Sequence, residues 1–398
     1  MEACMVPHTL RQLTARDINQ TLSFYRPPKI TSFNLRIPRY VRGPEIDRWI
    51  EFIVSRNVEK LTLVFNNQTY SFPDSFYLSS SFAQLCIHYP SKVAGCTVSW
   101  KYLRKLTLWD CNLCEEESIQ NILSGSPILE TLKLKYCRGP QRLDLSKPRS
   151  LRRLVIYFGA GPTEIVAPHL QYLSLRTFNE RTCTLVDVSS LAEAKIHIAV
   201  DNYGPPLKLD FLQTMVLKLL AKLHNVKRLT FTGTVLQILS LVELRGVPFP
   251  TFKVQTLTVE TGFTRSVIPG LGRLLQNSPE LEKLTAQATT RLVGIPERDL
   301  DSYMDSEGLN PDRCGRSKYE AFPTLFEFVS VISCKDATWR LMASFMEMVM
   351  RNVKTLETLV VGLECIKPKG SDARWFEELL QMLQLLSNNN NVSIVLKR

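Results

Sequence analysis

Cationic and aromatic side chains alternate with leucines at several places in the chain. In KLTLW (105–109) and TLKLK (131–135), threonine or lysine separates the leucines, and lysine, threonine or tryptophan flanks them. This alternation places the leucines on one side of a strand and the polar residues on the other. Arginine binds carboxylate or phosphate in a fork geometry, and aromatic residues and arginine dominate binding hot spots. The chemistry predicted here is noncovalent binding of an acidic or phosphorylated protein segment.

The positions that flank the buried leucines form a predicted partner-binding face. Its cationic and aromatic members are Lys60, Lys105, Trp109, Lys133, Lys135, Arg153, Tyr157, Tyr172, Arg176, Arg228 and Lys283. A second interpretation of these residues stays open. Threonine favours strands and lysine discourages edge pairing, so both are also what a solvated sheet face ordinarily carries.

Residues that could perform catalysis or bind a metal are sparse. The five histidines stand apart from any serine or cysteine nucleophile motif. Cys111 and Cys114 form one C-x-x-C, but no second pair and no histidine at ligand spacing accompanies them. We therefore expect no enzymatic activity, no bound metal and no cofactor.

The elements that position the binding face recur along the chain. Residues 121–137 (NILSGSPILETLKLKYC) join a helical pattern, a break and a short strand. Similar sequences occur at 53–63, 274–284 and 349–361. The first leucine of each strand, or its replacement, falls at Phe33, Leu61, Leu85, Leu106, Leu132, Leu154, Leu173, Ala194, Leu229, Leu257 and Leu284. These positions are 19 to 28 residues apart, with one gap of 35.

Spacings of about 20–29 residues are typical of leucine-rich repeats. The predicted fold is therefore an α/β leucine-rich-repeat solenoid. A curved parallel sheet would leave an open concave face, with helices and irregular segments on the convex side. An ordinary α/β domain fits less well, because its parallel strands are buried on both faces and read as continuous apolar runs.

The predicted organisation has four parts. They are an N-terminal segment (1–28), the solenoid (29–293), a polar linker or surface loop (294–320) and an α/β cap (321–398). Within the solenoid, apolar residues at helical spacing predict a lead-in helix over 46–54. The cap is predicted as strand–helix–strand–helix–strand. Its strands are at 322–331, 356–363 and 391–398, with helices around Leu341, Phe345 and Met348 and over 373–387.

Composition narrows the class of partner and the compartment. The chain has 398 residues and a net charge of +11, from 49 lysines and arginines against 38 aspartates and glutamates, which in general terms favours acidic partners or nucleic acid. No nucleic-acid-binding motif appears, so nucleic acid is not an expected partner. No apolar run is long enough to span a membrane, and the N-terminus has no secretory signal. We expect reduced cysteines and a location in the cytoplasm, the nucleus or both.

Four segments resemble the plant F-box proteins that carry leucine-rich repeats and a C-terminal FBD region. They are DRWIEFIVSRNVEKLTLVF (47–65), YSFPDSFYLSSSFAQLCIHY (70–89), WKYLRKLTLWDCNLCEEESIQNILSGSPILETLKLKYC (100–137) and RWFEELLQMLQLLSNNNNVSIVLKR (374–398). The resemblance covers residues 29–398. It implies a non-catalytic protein-binding receptor, similar to the substrate-recognition part of an SCF (Skp–cullin–F-box) E3 ubiquitin ligase, which selects a target for ubiquitination.

The N-terminal 28 residues depart from this family. They show neither the leucine–proline start nor the later tryptophan pattern of its F-box, the module that docks on the Skp-type adaptor. The sequence therefore leaves the adaptor and the cullin open as partners. Two alternative functions also remain: a non-degradative interaction module that shields or competes for a target, and a receptor for a small polar ligand such as an inositol phosphate.

Overall fold

A computed structural model describes most of the chain, which forms two compact units, Met1–Pro162 and Thr163–Arg398. The described residues are 14–26, 29–66, 70–89, 97–114, 116–157, 161–178, 181, 183–200, 207–262, 264–289, 294–309, 325–331, 358–364, 381, 384–385 and 393–397. Each unit contains a parallel sheet.

The described strands of the first unit are β1 (Ser32–Ile37), β2 (Lys60–Phe65), β3 (Gln84–His88), β4 (Lys105–Trp109), β5 (Thr131–Lys135), β6 (Arg142–Asp144) and β7 (Arg153–Tyr157). All of them except β6 form a parallel sheet in the order β1-β2-β3-β4-β5-β7. The leucines that define the repeat lie directly opposite one another. Phe33, Leu61, Leu85, Leu106, Leu132 and Leu154 share one register, which confirms the predicted repeat.

Helix α1 (Ala15–Phe24) precedes β1, and α2 (Gly43–Ser55), α3 (Asp74–Tyr77) and α4 (Glu116–Gly125) lie between strands. The predicted lead-in helix is present as α2, where Ile46, Trp49, Ile50 and Ile53 form one buried stripe. Helix α1 was not predicted. It begins with a reciprocal cap between Thr14 and Asp17, and Trp49 Nε1 donates a hydrogen bond of 2.6 Å to Asn19 Oδ1.

The end of α4 shows why the repeat contains a Ser-Gly-Ser-Pro break. A Cβ on Gly125 would lie 2.1 Å from the carbonyl oxygen of Val98, so only glycine permits this close approach. Leu129, Leu132 and Leu134 then enter the core, each at most 5% exposed. Burial of one such leucine stabilises the fold by about 1.5–3 kcal/mol.

The second unit repeats this alternation of strands and helices. Its strands are β8 (Glu164–Val166), β9 (Tyr172–Phe178), β10 (Thr184–Asp187), β11 (Glu193–Ala199), β12 (Arg228–Thr232), β13 (Thr256–Thr261), β14 (Lys283–Thr289), β15 (Leu325–Val331), β16 (Thr358–Glu364) and β17 (Ser393–Lys397). A parallel sheet runs β9-β11-β12-β13-β14-β15-β16-β17, and β8 pairs with β10. Leu173, Ala194, Leu229, Leu257 and Leu284 share one register, as predicted.

The helices of this unit are α5 (Leu209–Lys222), α6 (Gly233–Leu244), α7 (Ile268–Gln276) and α8 (Glu297–Ser306), with a 3-10 turn at Arg265–Val267. Helix α6 is almost entirely buried. Helix α7 approaches it closely at Gly270, whose amide donates to Ser240 Oγ at 2.8 Å. A Cβ at Gly270 would lie 2.2 Å from the carbonyl oxygen of Leu236, which explains the glycine.

Helix α8 corrects the prediction of a polar linker or surface loop over 294–320. Leu300 and Met304 lie one helical turn apart and are 1% and 3% exposed, so this charged segment has one buried stripe. The side-chain amide of Gln237 fixes the entry to α8: it donates to the carbonyl oxygen of Ile295 at 2.9 Å and accepts from the Ile295 amide at 2.7 Å. Residues 310–320 lie outside the described part of the chain.

The region predicted as a cap contributes three strands to the second sheet. Phe326, Leu359 and Ile394 continue the register of Leu284 through β15, β16 and β17. Residues 381, 384 and 385 are helical, within the predicted 373–387 helix. The helix predicted around Leu341, Phe345 and Met348 lies outside the described residues, as do residues 1–13. No helix in the described part is both long enough and apolar enough to cross a bilayer.

Candidate protein-binding face

One side of the first unit's sheet carries the residues that alternate with its buried leucines. We call this surface the N-terminal face. Strand register arranges it in three rows: Ser32, Lys60, Gln84, Lys105, Thr131 and Arg153; Asn34, Thr62, Cys86, Thr107, Lys133 and Val155; and Arg36, Val64, His88, Trp109, Lys135 and Tyr157. The structure thus brings together the seven predicted site residues of this unit.

The N-terminal face is strongly cationic. Its positive side chains are Arg36, Lys60, Lys105, Lys133, Lys135 and Arg153, and none of the residues in its three rows, all of them described, is acidic. Acids flank the strands at both ends: Glu59 pairs with Lys29 at 2.6 Å before β2, Glu130 pairs with Arg104 before β5, and Asp110 follows β4. Within the three rows every charged side chain at neutral pH is positive, which sets the sign of the potential there.

Aromatic rings line the end of this face where the strands terminate. The rings of His88 and Trp109 are stacked with centroids 4.8 Å apart, and those of Trp109 and Tyr136 are stacked at 5.7 Å. Tyr157 meets Tyr136 edge to face at 5.4 Å, and Lys135 Nζ lies 4.7 Å from the Trp109 ring centroid. We call His88, Trp109, Tyr136 and Tyr157 the aromatic row. Sequence reasoning found Trp109 and Tyr157 but missed the other two rings.

A repeated backbone turn forms this edge. Tyr89, Asp110 and Tyr136 follow β3, β4 and β5 and have φ values of 61°, 54° and 55°. Each amide donates to the carbonyl oxygen of the last residue of the next strand, over 2.7 to 2.8 Å. A positive φ is uncommon outside glycine, so its recurrence in three consecutive repeats marks a specified turn. The turn leaves Tyr89 36% and Tyr136 40% exposed.

His88 contributes no positive charge to this surface at neutral pH. Burial, with the charges of Lys135 and Arg36, lowers its pKa to about 4. Its Nε2 atom lies 3.3 Å from the Sγ atom of Cys86. The positive charge of the N-terminal face at neutral pH therefore comes from its lysines and arginines, because His88 becomes protonated only near pH 4.

The second unit has a corresponding surface, the C-terminal face. Its rows over β9 and β11–β14 are Tyr172, Glu193, Arg228, Thr256 and Lys283; Ser174, Lys195, Thr230, Thr258 and Thr285; and Arg176, His197, Thr232, Glu260 and Gln287. This places the remaining predicted residues, Tyr172, Arg176, Arg228 and Lys283, on one surface. Burial, with the charges of Arg176 and Lys195, lowers the pKa of His197 to about 3.

Two carboxylates that sequence reasoning missed partly neutralise the C-terminal face. Glu260 pairs with Lys195 at 2.5 Å, and Glu193 pairs with Arg228 at 3.0 Å. The signal was present in EAKIHIA (193–199), where Glu193 alternates with Ala194 and so faces the polar side. The predicted site residues consequently divide between one face without acids and one with internal ion pairs.

Residues 46–286 match the leucine-rich repeats of the FBD-associated F-box protein At5g56370. The chain belongs to this family of F-box proteins with leucine-rich repeats. It is 52% identical to the putative F-box/LRR-repeat protein At3g28410 of Arabidopsis thaliana, over 99% of this chain and 86% of that protein. It is 52% identical to the putative F-box/LRR-repeat protein At5g02700 and 46% identical to the F-box/LRR-repeat protein At5g02910, both of Arabidopsis thaliana. These matches cover 96% and 98% of the chain and 82% and 85% of the two relatives.

The family assignment agrees with the repeat pattern and with the FBD resemblance, and it indicates a role in protein interaction or substrate recognition. The described residues hold no group of three or more histidine, cysteine or acidic side chains that could bind a metal. In the C-x-x-C motif, Cys111 is buried and Cys114 is exposed, and neither forms a disulfide. Burial raises the pKa of the Cys111 thiol, which disfavours the reactive thiolate.

Proposed function

We propose that this chain is a non-catalytic receptor that selects a target protein through its N-terminal face, like the substrate-recognition part of an SCF E3 ubiquitin ligase. One observation carries the proposal: the three rows of this face combine six cations with an aromatic row and contain no acid. Arginine and aromatic side chains dominate binding hot spots, and a uniform potential steers a partner of opposite charge.

The ubiquitin-ligase part of the proposal rests on the family. The relatives are named F-box/LRR-repeat proteins, and the chain spans 86% and 82% of the length of two of them. On this basis the chain selects the target while other subunits, including a Skp-type adaptor and a cullin, supply the chemistry of ubiquitin transfer. We place this activity in the cytoplasm or nucleus, compartments in which cysteines stay reduced.

Site-specific photo-cross-linking in plant cells tests the receptor role. A photoreactive amino acid at Thr107, in the middle row of the N-terminal face, should cross-link to a target protein that mass spectrometry identifies. The same amino acid at Ser124, which is exposed on α4, serves as the matched control. Cross-links of equal yield at both positions, or none at Thr107, would remove the N-terminal face as the receptor site.

The target identified in this way then separates the finer possibilities. Purified target should bind the purified chain directly, and combined charge reversal of Lys133 and Arg153 on the N-terminal face should abolish capture while the circular dichroism spectrum stays native. Co-purification of the adaptor and cullin with a target that accumulates when the chain is deleted supports the ligase role. A target whose abundance does not change, bound without adaptor, supports a shielding module instead.

A further inference from the structure

We propose that the N-terminal face binds an extended acidic segment of its target, held by carboxylates spread across the strands and anchored on the aromatic row. This inference rests on the proposed receptor function and adds the chemistry of the partner. Three features of the face support it: the distribution of its cations, the orientation of its rings and its supply of hydrogen-bond donors.

The cations extend over the whole width of the sheet. At least one stands on each of β1, β2, β4, β5 and β7, from Arg36 on the first strand to Arg153 on the last. Six strands spaced about 4.8 Å apart span roughly 24 Å, which an extended peptide crosses with about seven residues. A single phosphate group would meet only a few of these charges. A run of carboxylates along such a segment meets most of them.

Within the aromatic row, the Trp109 ring offers its edges to the partner, because its faces are already stacked on neighbouring rings. The Trp109 ring is stacked on His88 from β3 and on Tyr136 after β5, and these two strands flank β4 on opposite sides. Nucleic-acid bases bind to free aromatic faces, so this row is poorly suited to single-stranded RNA or DNA. The edges of aromatic rings carry the positive end of the quadrupole, which favours carboxylate oxygens.

The polar groups of the row are suited to an acceptor-rich partner. Trp109 can only donate through its indole N–H. Lys135, over the Trp109 ring, places a cation beside this donor. Carboxylates and the carbonyl oxygens of an extended peptide supply the matching acceptors. An acidic segment therefore satisfies the charges and the donors of this face together.

A synthetic peptide tests this chemistry directly. The probe is fluorescein-labelled (Glu-Thr)6, in which the β-favouring threonine holds the chain extended and alternate residues present carboxylates on one side. We expect it to bind the full chain by fluorescence anisotropy, at least tenfold more tightly than (Gln-Thr)6, with affinity that falls between 50 and 300 mM NaCl as screening increases. Equal binding of the neutral peptide would overturn the proposal.

Substitutions locate the binding to the proposed surface. Arg36→Gln with Lys135→Gln should weaken (Glu-Thr)6 binding at least fivefold, and Tyr136→Asn should weaken it at least threefold. Asparagine is chosen because it tolerates the positive φ of this position. The matched control is Lys101→Gln with Lys147→Gln, which removes the same charge from exposed positions of the first unit outside the three rows. This control should change the affinity less than twofold.

The remaining outcomes distinguish the inference from the receptor function. If an oligonucleotide such as dT12 binds more tightly than the acidic peptide and loses affinity in the same variants, the partner is nucleic acid and the inference fails. If a singly phosphorylated neutral peptide outcompetes (Glu-Thr)6, a phosphate site replaces the acidic segment. Should both peptides fail while Thr107 still cross-links to a target, the receptor function stands and only its proposed partner chemistry falls.

Discussion

The N-terminal and C-terminal faces share one design and differ in one type of residue. Both alternate polar side chains with a leucine register, and both hold a buried histidine with a low pKa between two cations: His88 with Lys135 and Arg36, and His197 with Arg176 and Lys195. Only the C-terminal face contains acids, at Glu193 and Glu260. The same scaffold therefore either presents its positive charge to a partner or neutralises it internally.

The ion pairs of the C-terminal face act on binding more than on folding. Lys195 and Glu260 are 37% and 27% exposed, and Arg228 and Glu193 are 60% and 35% exposed. Partly exposed pairs of this kind contribute about 0–1 kcal/mol to stability. Their larger effect is to cancel two cations that an acidic partner would otherwise meet, so the difference between the faces concerns recognition.

Charge reversal should reveal the largest difference in target affinity between the two faces. Lys105→Glu with Lys133→Glu reverses two cations of the N-terminal face, and we expect roughly a hundredfold loss of target affinity, or about 2.8 kcal/mol. Arg228→Glu with Lys283→Glu makes the same change on the C-terminal face, where the loss should stay below about fivefold. Calorimetric titration with the identified target measures both. Equal losses would mean that the two faces bind alike.

The two histidines should make stability fall in acid. Below about pH 6.5 the unfolded chain takes up a proton that native His88 resists until its pKa of about 4. The free energy of unfolding therefore decreases as pH falls from 6.5 to 4, and for His197 the decrease continues to about 3. His88→Gln should remove on the order of 2 kcal/mol of this decrease.

Thermal unfolding followed across this pH range measures the effect of each histidine. His197→Gln provides the parallel measurement in the second unit. Curves for the His88→Gln variant and the unsubstituted chain that run parallel from pH 6.5 to 4 would show that the histidine in the N-terminal face does not couple to folding.

Removal of the acids should make the C-terminal face resemble the N-terminal one. Glu193→Gln with Glu260→Gln releases Arg228 and Lys195 from their pairs, and we expect the affinity of the whole chain for (Glu-Thr)6 to rise about threefold, with a loss of stability of no more than about 1 kcal/mol. A fluorescence titration at 50 mM NaCl gives the result. An unchanged affinity would indicate that the acids do not mask this face.

The smallest expected effect is on stability, from substitutions in the positive-φ turn that follows β3, β4 and β5. Tyr89, Asp110 and Tyr136 adopt positive φ, whereas in the described residues of the second unit only Gly246 and Gly308 do. Tyr136→Ala and Tyr136→Asn both remove the ring, but alanine tolerates a positive φ less well than asparagine does. The free energy of unfolding of the Tyr136→Ala variant should therefore be lower by about 1 kcal/mol. Melting temperatures that do not differ between the two variants would argue against strain at this turn.

Local pattern explains which parts of this molecule were predictable. The register of Leu132 and its counterparts could be predicted because alternation fixes which side of a strand is buried. The helix α8 could not, since its two buried residues, Leu300 and Met304, stand among charges that favour a loop. Helix α1 did carry a signal, the Thr14–Asp17 cap, in a segment otherwise poor in pattern.

The sequence predicted which residues lie on the candidate site, but it did not predict the contacts that these residues form with one another. Its cations follow from strand alternation, residue by residue. The pair Lys195–Glu260 joins positions 65 residues apart, and its formation depends on how two strands separated by β12 are placed. The stacking of Tyr136 depends on a left-handed turn after β5. Such contacts arise from tertiary placement, which no short stretch of sequence specifies.

The aligned leucines also determine how this surface can change over generations. Within the first sheet each strand meets its neighbours at the same position, from Phe33 to Leu154. Duplication or loss of one whole repeat would therefore leave two strands that still match in register. Each such event adds or removes one strand, and with it three surface positions. The recognition surface can therefore change its length and its charge one repeat at a time during evolution, while the pattern of buried residues stays the same.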